Sequence, residues 1–175
     1  MRFRAGGRKV ALAESGKLAE GIESFRKVSD ILQKLADANP ANASVQQDLA
    51  RSYGNSGVAC VYMGQLSEAL EVSRKGLAIS QKLVDDNPAV TAFQYGLCFD
   101  QLNMVTLLSD SGKQAEAMDT GRKAVAIAQK LDDTHPSVPN FQFNLARAHN
   151  TIGFMHSRTG KPAEALEAYR TALPV

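Results

Sequence analysis

The side chains in this sequence that can support metal binding or acid–base chemistry are three histidines, two cysteines and the carboxylates. His149 and His156 are seven residues apart, which places them two turns apart on one face of a helix. Such a pair indicates either a metal or general-base site or two side chains that fill a core. His135 stands before Pro136, and the proline ring disfavours helical geometry at the residue that precedes it. We therefore interpret His135 as a helix-ending turn residue.

The cysteines and carboxylates lack the spacing that chemistry requires. Cys60 and Cys98 form neither a disulfide framework nor a CxxC metal motif, which fits a reducing, cytoplasmic setting. The sequence has no glycine-rich phosphate loop, no HExxH motif and no nucleophile placed with a base. Recurring acids stand four residues before a lysine, as in surface ion pairs, at Glu23–Lys27, Glu71–Lys75 and Asp119–Lys123. We expect no enzyme activity, no cofactor and no metal in this chain.

The charge balance argues against two further classes of partner. Lysine and arginine number 20 against 18 acidic residues, and the net charge of +2 is spread along interleaved signs. This distribution favours neither nucleic acid nor a membrane surface. The first stretch, MRFRAGGRKVALAESG, has too short an apolar patch for a secretory signal, and no run approaches the ~18 apolar residues of a membrane span. We predict a cytoplasmic protein with no nucleic-acid and no membrane partner.

One fixed interval organises the whole chain. Glycines recur every 48 residues, at Gly16, Gly64, Gly112 and Gly160, and prolines recur at the same spacing, at Pro40, Pro88 and Pro136. A period in this range is typical of a stacked array in which neighbouring units share one core. We divide the chain into a degenerate partial repeat at 1–15 and an array at 16–175, with units 16–63, 64–111, 112–159 and a partial 160–175.

Each period predicts two helices. From residue 17 to residue 38, apolar side chains step by three and four, as on an amphipathic helix, and a second helical stretch runs from 42 to 63. Proline ends the first helix and glycine caps the second. We predict an all-α fold of antiparallel hairpins without strands, with breaks near residues 39–42, 63–66, 87–90, 111–114, 135–138 and 159–162.

Side-chain size predicts how the helices pack. The apolar stripe of the first outer helix consists of Ile22, Phe25, Val28, Ile31, Leu32 and Leu35. Small residues stand where two helices must approach closely, at Gly57, Gly153, Ala69, Ala117 and Ala165. Leu166, Tyr169 and Leu173 share a face of the last helix with no following helix to cover it. An exposed apolar patch marks an interaction surface, so we expect self-association through that end, fraying of the helix, or a continuation of the natural chain that covers it.

Several of these residues have the spacing of a known repeat. His149, Gly153 and His156, followed by Gly160, Ala165 and Tyr169, resemble the tetratricopeptide pattern W-x2-L-G-x2-Y…A-x3-F, with histidines in place of aromatic residues. Tyr53, Gly57, Gly64 and Ala69 match the same pattern. The middle unit departs from it, with Val105 for the close-packing glycine and Gly121 for the large aromatic. The resemblance implies an α-solenoid with a right-handed superhelix, and core positions for His149 and His156.

The repeat is longer than the usual tetratricopeptide unit. That unit has a period of about 34 residues, so each unit here carries about 14 more, close to two extra turns per helix. Lengthened units of this kind look like those of kinesin light chains. The sequence segments ALEAYR and QKLADANP resemble those of repeat arrays that lie beside the kinase domain of large bacterial serine/threonine kinases. The alternative function is therefore a non-catalytic regulatory or substrate-recruiting segment of, or companion to, such a kinase.

The resemblance also implies that the inner helices line a concave groove that binds a peptide or protein partner. Asn55, Asn103 and Thr151 stand one period apart, and an exposed amide offers a ligand both a donor and an acceptor. Arginines in the same row suit an acidic group. The predicted groove residues are Arg51, Asn55, Val58, Asn103, Thr106, Arg147, Thr151 and Phe154. We predict a protein–protein interaction scaffold; the alternative for these positions is a polar face that is only solvated.

Overall fold

The computed structural model describes the backbone of residues 4–173 and the side chains at positions 20, 21 and 23–173. In this part of the chain every regular element is an α-helix. The helices are α1 (Arg4–Ala38), α2 (Ala43–Tyr62), α3 (Leu66–Asp86), α4 (Thr91–Asp110), α5 (Gln114–Thr134), α6 (Pro139–Arg158) and α7 (Pro162–Ala172). The all-α prediction and the six predicted breaks are confirmed. Helices α2 to α6 have 20 or 21 residues each, the extra length that the long period predicts.

Recurring glycines determine where the inner helices end. Gly64, Gly112 and Gly160 follow α2, α4 and α6 with φ angles of 72°, 76° and 73°. This is the left-handed region, which a Cβ disfavours, so each position requires glycine. At the start of α2, the side-chain oxygen of Asn42 accepts hydrogen bonds from the backbone N–H groups of Ser44 and Val45.

Gly16 does not share this role, although it belongs to the same series. Helix α1 has 35 residues and passes Gly16 without a turn. The sequence analysis begins the first full repeat at that residue and assigns 1–15 to a separate partial repeat. The described backbone has no helix boundary there. Glycine permits a left-handed turn but does not impose one, so its spacing alone is insufficient to end a helix.

The structure divides into two compact units, the first of which comprises residues 1–76. In this unit α1 and α2 pack against each other, and the hydroxyl groups of Ser29 and Ser52 share a buried hydrogen bond of 2.8 Å. An ion pair between Arg26 and Glu68 joins α1 to α3. The first unit therefore begins with a hairpin of α1 and α2 and continues into the first half of α3.

The second unit, residues 77–175, contains two complete hairpins. A buried cluster joins α4, α5 and α6 through Cys98, Leu102, Ala124, Ala128 and Ala148. Helices α4 and α6 lie side by side and parallel. Two hydrogen bonds show this, since Arg147 bonds to Asn103 and, further along both helices, Arg158 bonds to Asp110. The inner helices α4 and α6 of the second unit are thus neighbours in the register of the repeat, which is the arrangement of an α-solenoid.

Close helix contacts occur at the predicted small residues. A Cβ added to Gly57 would lie 2.1 Å from the Ser73 Oγ, and one added to Gly153 would lie 2.6 Å from the Tyr169 ring. The predicted alanines of the outer helices, Ala69, Ala117 and Ala165, are buried. The inner and outer helices approach so closely that one partner of each contact must be small.

The middle hairpin achieves the same approach with the sizes exchanged. Val105 is buried on the inner helix and faces Gly121 on the outer one, where an added Cβ would lie 3.6 Å from the Val105 Cγ2 and 2.9 Å from the Ile152 Cδ1. The departure of this unit from the tetratricopeptide pattern is therefore an exchange of large and small residues between two helices. It leaves the packing intact.

The predicted stripe on the first outer helix is largely uncovered. We term Phe25, Val28, Ile31, Leu32 and Leu35 the α1 stripe; the side chain of Ile22 lies outside the described residues. Val28, Ile31 and Leu35 expose 46%, 60% and 46% of their surface. Among the described side chains of α1, the buried ones are Ser29, which bonds to α2, and Ala36. Most of the α1 stripe is therefore exposed, because no helix of the first unit covers that side of α1.

Candidate interaction surfaces

A row of exposed side chains follows the shared face of α4 and α6 in the second unit. Its aromatic members Phe99, Phe143 and Phe154 expose 43%, 68% and 48% of their surface. Its polar members are Asn103, Thr106 and Asp110 on α4, and Arg147, Thr151 and Arg158 on α6. We term these nine residues the α4–α6 surface. It brings together the five predicted groove residues that belong to the second unit.

Arg147 joins the two helices at the centre of this surface. Its guanidinium carbon lies 4.8 Å from the centre of the Phe99 ring, and its Nη2 donates a hydrogen bond of 2.7 Å to the Asn103 Oδ1. Asn103 is half-buried and its oxygen is occupied, whereas the sequence analysis expects an exposed amide free to bind a ligand. The Thr151 hydroxyl likewise donates to the Arg147 carbonyl oxygen at 2.8 Å. The polar row is therefore bonded largely within itself.

Arg158 makes a second link of the same kind. Its Nη1 lies 2.8 Å from the Asp110 Oδ1, and its guanidinium carbon lies 5.6 Å from the centre of the Phe154 ring. Sequence reasoning missed Phe99, Asp110 and Arg158 as members of this surface. The signal was present, because residues 99 and 147, and residues 110 and 158, are one period apart.

The first unit places Arg51, Asn55 and Val58 on the exposed side of α2. Arg51 forms an ion pair of 2.7 Å with Asp48, and 75% of its side chain remains exposed. Ion pairs at such exposure contribute little to stability, so the pair leaves the Arg51 guanidinium available to another carboxylate or amide.

An open cleft of about 320 Å³ lies beside Arg51, between α1 and α2. We term it the α1–α2 cleft. Helix α1 contributes Phe25, Val28 and Leu32, and helix α2 contributes Asp48, Arg51, Ser52 and Asn55. One wall is therefore apolar and the other polar.

The histidines do not come together as a site. His149 and His156 are both half-buried, and burial lowers the pKa of His149 below its ordinary value. The ring of His135 lies just after α5, edge-on to Phe141, where the chain turns toward Pro136. The prediction of a turn residue at His135 is confirmed. Among the described residues, no three histidines, cysteines or acids are grouped as metal ligands would be.

Burial also shifts the pKa of three further groups among the described residues. Cys60 and Cys98 are free and buried, and burial raises the pKa of both thiols, that of Cys98 to about 11. Burial also raises the pKa of Asp100 to about 6, against the opposing effect of the Ser80 hydroxyl, which donates to its carboxylate at 2.6 Å. No helix within the described residues combines the length and the apolar character needed to cross a bilayer.

The last helix agrees with the predicted apolar end at two of three positions. Leu166 and Leu173 are exposed, but Tyr169 is half-buried and packs against Gly153. Self-association through this end stays a prediction, which light scattering at high protein concentration tests.

A comparison with protein-family models supports the repeat interpretation in two segments of the chain. Residues 50–83 and 146–173 match the family model of the tetratricopeptide repeat. No protein with a curated description matches the chain. Among solved structures, MamA (AMB-1) is similar at 15% identity over 95% of this chain and 86% of that chain, with a TM-score of 0.43. BtubC (BKLC) from P. vanneervenii is similar at 14% identity over 94% of this chain and 83% of that chain, with a TM-score of 0.39. The two segments that match the tetratricopeptide model, 50–83 and 146–173, are also the segments that contain the residues on which the resemblance rests.

Proposed function

We propose that this chain is a protein-interaction scaffold without catalytic activity of its own, and that it binds a peptide or protein partner through the α4–α6 surface. The observation that carries the proposal is the row of three exposed phenylalanines interleaved with Arg147 and Arg158. Aromatic and arginine side chains supply most of the energetic hot spots of protein interfaces. Exposed aromatic side chains and arginine are also enriched in protein interfaces relative to the rest of the surface.

The charges of this surface indicate the chemistry of the partner. Among the described residues, no carboxylate lies within ion-pair distance of Arg147, whose guanidinium is held against Phe99 and Asn103. A guanidinium fixed in this way loses little side-chain entropy when it binds a carboxylate through two parallel hydrogen bonds. Arg158 already pairs with Asp110 and offers less charge. The partner segment therefore carries an acidic side chain flanked by apolar ones.

Affinity capture followed by quantitative cross-linking tests this function. Partners captured by the full chain are compared with those captured by Arg147→Ala and Phe154→Ala variants. We expect each change to weaken a genuine partner by about 10- to 30-fold, the effect of losing an interface hot spot of about 1.4–2 kcal/mol. Arg122→Ala and Leu166→Ala are matched controls, because both residues are exposed on outer helices away from this surface. Equal losses in the controls, or none in the test variants, contradict the proposal.

The remaining predictions concern other parts of the chain. Arg51, Asn55 and Val58 form a separate exposed set in the first unit. Recruitment to a serine/threonine kinase and a cytoplasmic location stay predictions, since no contact or cluster in the structure favours either.

A further inference from the structure

Helix α1 is the repeat counterpart of α5, but the two helices are covered differently. Subtracting two periods of 48 residues relates Ala124 to Val28, Ala128 to Leu32 and Leu131 to Leu35. On α5 these positions are completely buried. On α1 they belong to the α1 stripe, and Val28 and Leu35 are each 46% exposed.

An inner helix covers this face on α5. Ala124 and Ala128 pack in one cluster with Cys98 and Leu102 of α4, and the Cys98 Sγ lies 3.5 Å from the Ala124 carbonyl oxygen. The equivalent place beside α1 is the α1–α2 cleft, where Val28 and Leu32 form the apolar wall. Residues before the stripe continue α1 back to Arg4, so the described backbone does not fold over its own stripe. The cleft therefore has the position and the apolar wall of an inner-helix site.

Arg51 gives independent evidence for a helix in the same place. It is the counterpart of Arg147, which reaches back to the preceding inner helix, stacks on Phe99 and bonds to Asn103. Arg51 lines the α1–α2 cleft and its side chain is 75% exposed; among the residues that the structure describes, its ion-pair partner is Asp48. A helix in the cleft that runs parallel to α2, as α4 runs beside α6, would offer Arg51 an aromatic ring and, one turn later, an oxygen acceptor.

Residue size at the close contact specifies the helix further. Where the outer helix carries a large ring, as at Tyr169, the inner helix carries Gly153 opposite it. Phe25 occupies the Tyr169 position on α1, three periods earlier. A helix that packs in the cleft must therefore place glycine opposite Phe25, because a side chain there would meet the ring.

We infer that the α1–α2 cleft is a docking site for an amphipathic helix of a partner polypeptide. The partner helix runs parallel to α2, places glycine opposite Phe25 and small or apolar residues against Val28 and Leu32, and presents an aromatic residue followed four positions later by an amide or carboxylate to Arg51. The cleft is formed by residues of the first unit and shares none with the α4–α6 surface, so either proposal can fail without the other.

A peptide made from the chain's own α6 serves as the probe. It comprises residues 139–158, which retain Gly153 for Phe25, and carries Arg147→Phe and Thr151→Asn to reproduce the Phe99 and Asn103 pair that α4 presents. Binding of the fluorescent peptide to the full chain is measured by anisotropy. The same peptide with Gly153→Leu is its matched control, because leucine is too large to lie against Phe25.

We expect saturable binding to the full chain and a loss of at least tenfold with the Gly153→Leu peptide. On the protein, Val28→Asp should weaken binding at least tenfold, and Arg51→Glu at least fivefold. Arg122→Glu makes an equal charge reversal at an exposed position of α5 and should change the affinity for the peptide less than twofold. A peptide with Thr151→Lys in place of Thr151→Asn should prefer the Arg51→Glu protein to the unchanged one. That reversal distinguishes a direct contact from a change in folding.

Three results would overturn the inference. One is the absence of saturable binding, and another is binding that Val28→Asp and Arg51→Glu leave unchanged. The third is concentration-dependent dimerisation that Val28→Asp abolishes, because a second copy of the chain would then be the occupant. Circular dichroism of each variant confirms that its helices remain formed.

Discussion

Helices α1 and α5 hold the same place in the repeat but have opposite surroundings. Leu131 of α5 is completely buried, whereas its counterpart Leu35 on α1 is 46% exposed. Leucine at one and the same repeat position is thus buried in the core on α5 and exposed at the surface on α1. Residue type at a repeat position therefore does not determine burial; the presence of the inner helix opposite it does.

Residue size at the paired positions agrees with this conclusion. The covered helix α5 has Ala124 and Ala128 against α4, while α1 has the larger Val28 and Leu32. Small residues allow a close approach between two helices, and larger ones are tolerated where no helix lies at that distance. The larger residues on α1 therefore agree with a stripe that no helix of the first unit covers at such close range.

The largest expected effect comes from truncating the two equivalent leucines. Leu131→Ala should cost about 2–5 kcal/mol of unfolding free energy, because it removes a buried side chain and leaves a cavity. Leu35→Ala should cost less than about 1 kcal/mol, because half of that side chain already contacts water. Urea unfolding followed by circular dichroism measures both. Equal costs would show that α1 is covered in solution and would break the comparison.

A smaller effect is expected from exchanging sizes at the next position. Ala124→Val gives α5 the residue found on α1 and should destabilise by about 1–3 kcal/mol, because extra methyl groups enter a filled contact. Val28→Ala makes the reverse change on α1 and should shift stability by about 0.5 kcal/mol or less. Thermal unfolding of the two variants compares them directly. Tolerance of valine at 124 would contradict the close packing of α4 and α5.

A partly buried carboxylate, that of Asp100, distinguishes α4 from the other inner helices. Asp100 occupies the position of Ser52 on α2 and Ala148 on α6, so α4 alone among these three places a carboxylate there. Its pKa in the folded chain is about 6, raised from 3.8 by burial. The folded state therefore binds a proton more tightly than the unfolded state, and stability falls as pH rises from about 4 to about 6.

Asp100→Asn should remove that dependence and stabilise the chain by about 1–2 kcal/mol at pH 7, since one pKa unit is worth about 1.4 kcal/mol. The amide oxygen can still accept the Ser80 hydrogen bond. Urea midpoints at pH 4, 5, 6 and 7 for both proteins test the effect. A gap between the two proteins that does not widen with pH would argue against a raised pKa.

Residues that end helices made the helix boundaries predictable from the sequence. Gly64, Gly112 and Gly160 recur because each needs a left-handed backbone, and Asn39 and Asn87 stand before the prolines that end outer helices. These signals act within a few residues, so the six breaks follow from sequence alone. Gly16 belongs to the same series but stands inside the continuous helix α1, so its spacing predicts a boundary that the helix does not have.

The details of the candidate surfaces depend on neighbours that periodicity does not specify. The exchange between Val105 and Gly121 is visible only when both helices are considered together. The bond from Arg147 to Asn103 likewise depends on which helix lies alongside, and it leaves the predicted amide occupied. Periodicity predicts which helices are the inner ones. The contacts between neighbouring helices determine which of their polar side chains remain free to bind a partner.

Cysteine labelling tests the contrast between α1 and α5 most directly. The native thiols give little background, because Cys60 and Cys98 are buried and burial raises the pKa of both. A single cysteine is introduced as Val28→Cys or as Ala124→Cys, and its reaction with a maleimide is timed in dilute, folded protein. We predict that the thiol at position 28 reacts nearly as fast as in the unfolded chain, and that the thiol at position 124 reacts at least about 100-fold more slowly, since it is reached only by local opening. Equal protection of the two thiols in a monomeric sample would contradict the exposed α1 stripe and, with it, the docking site.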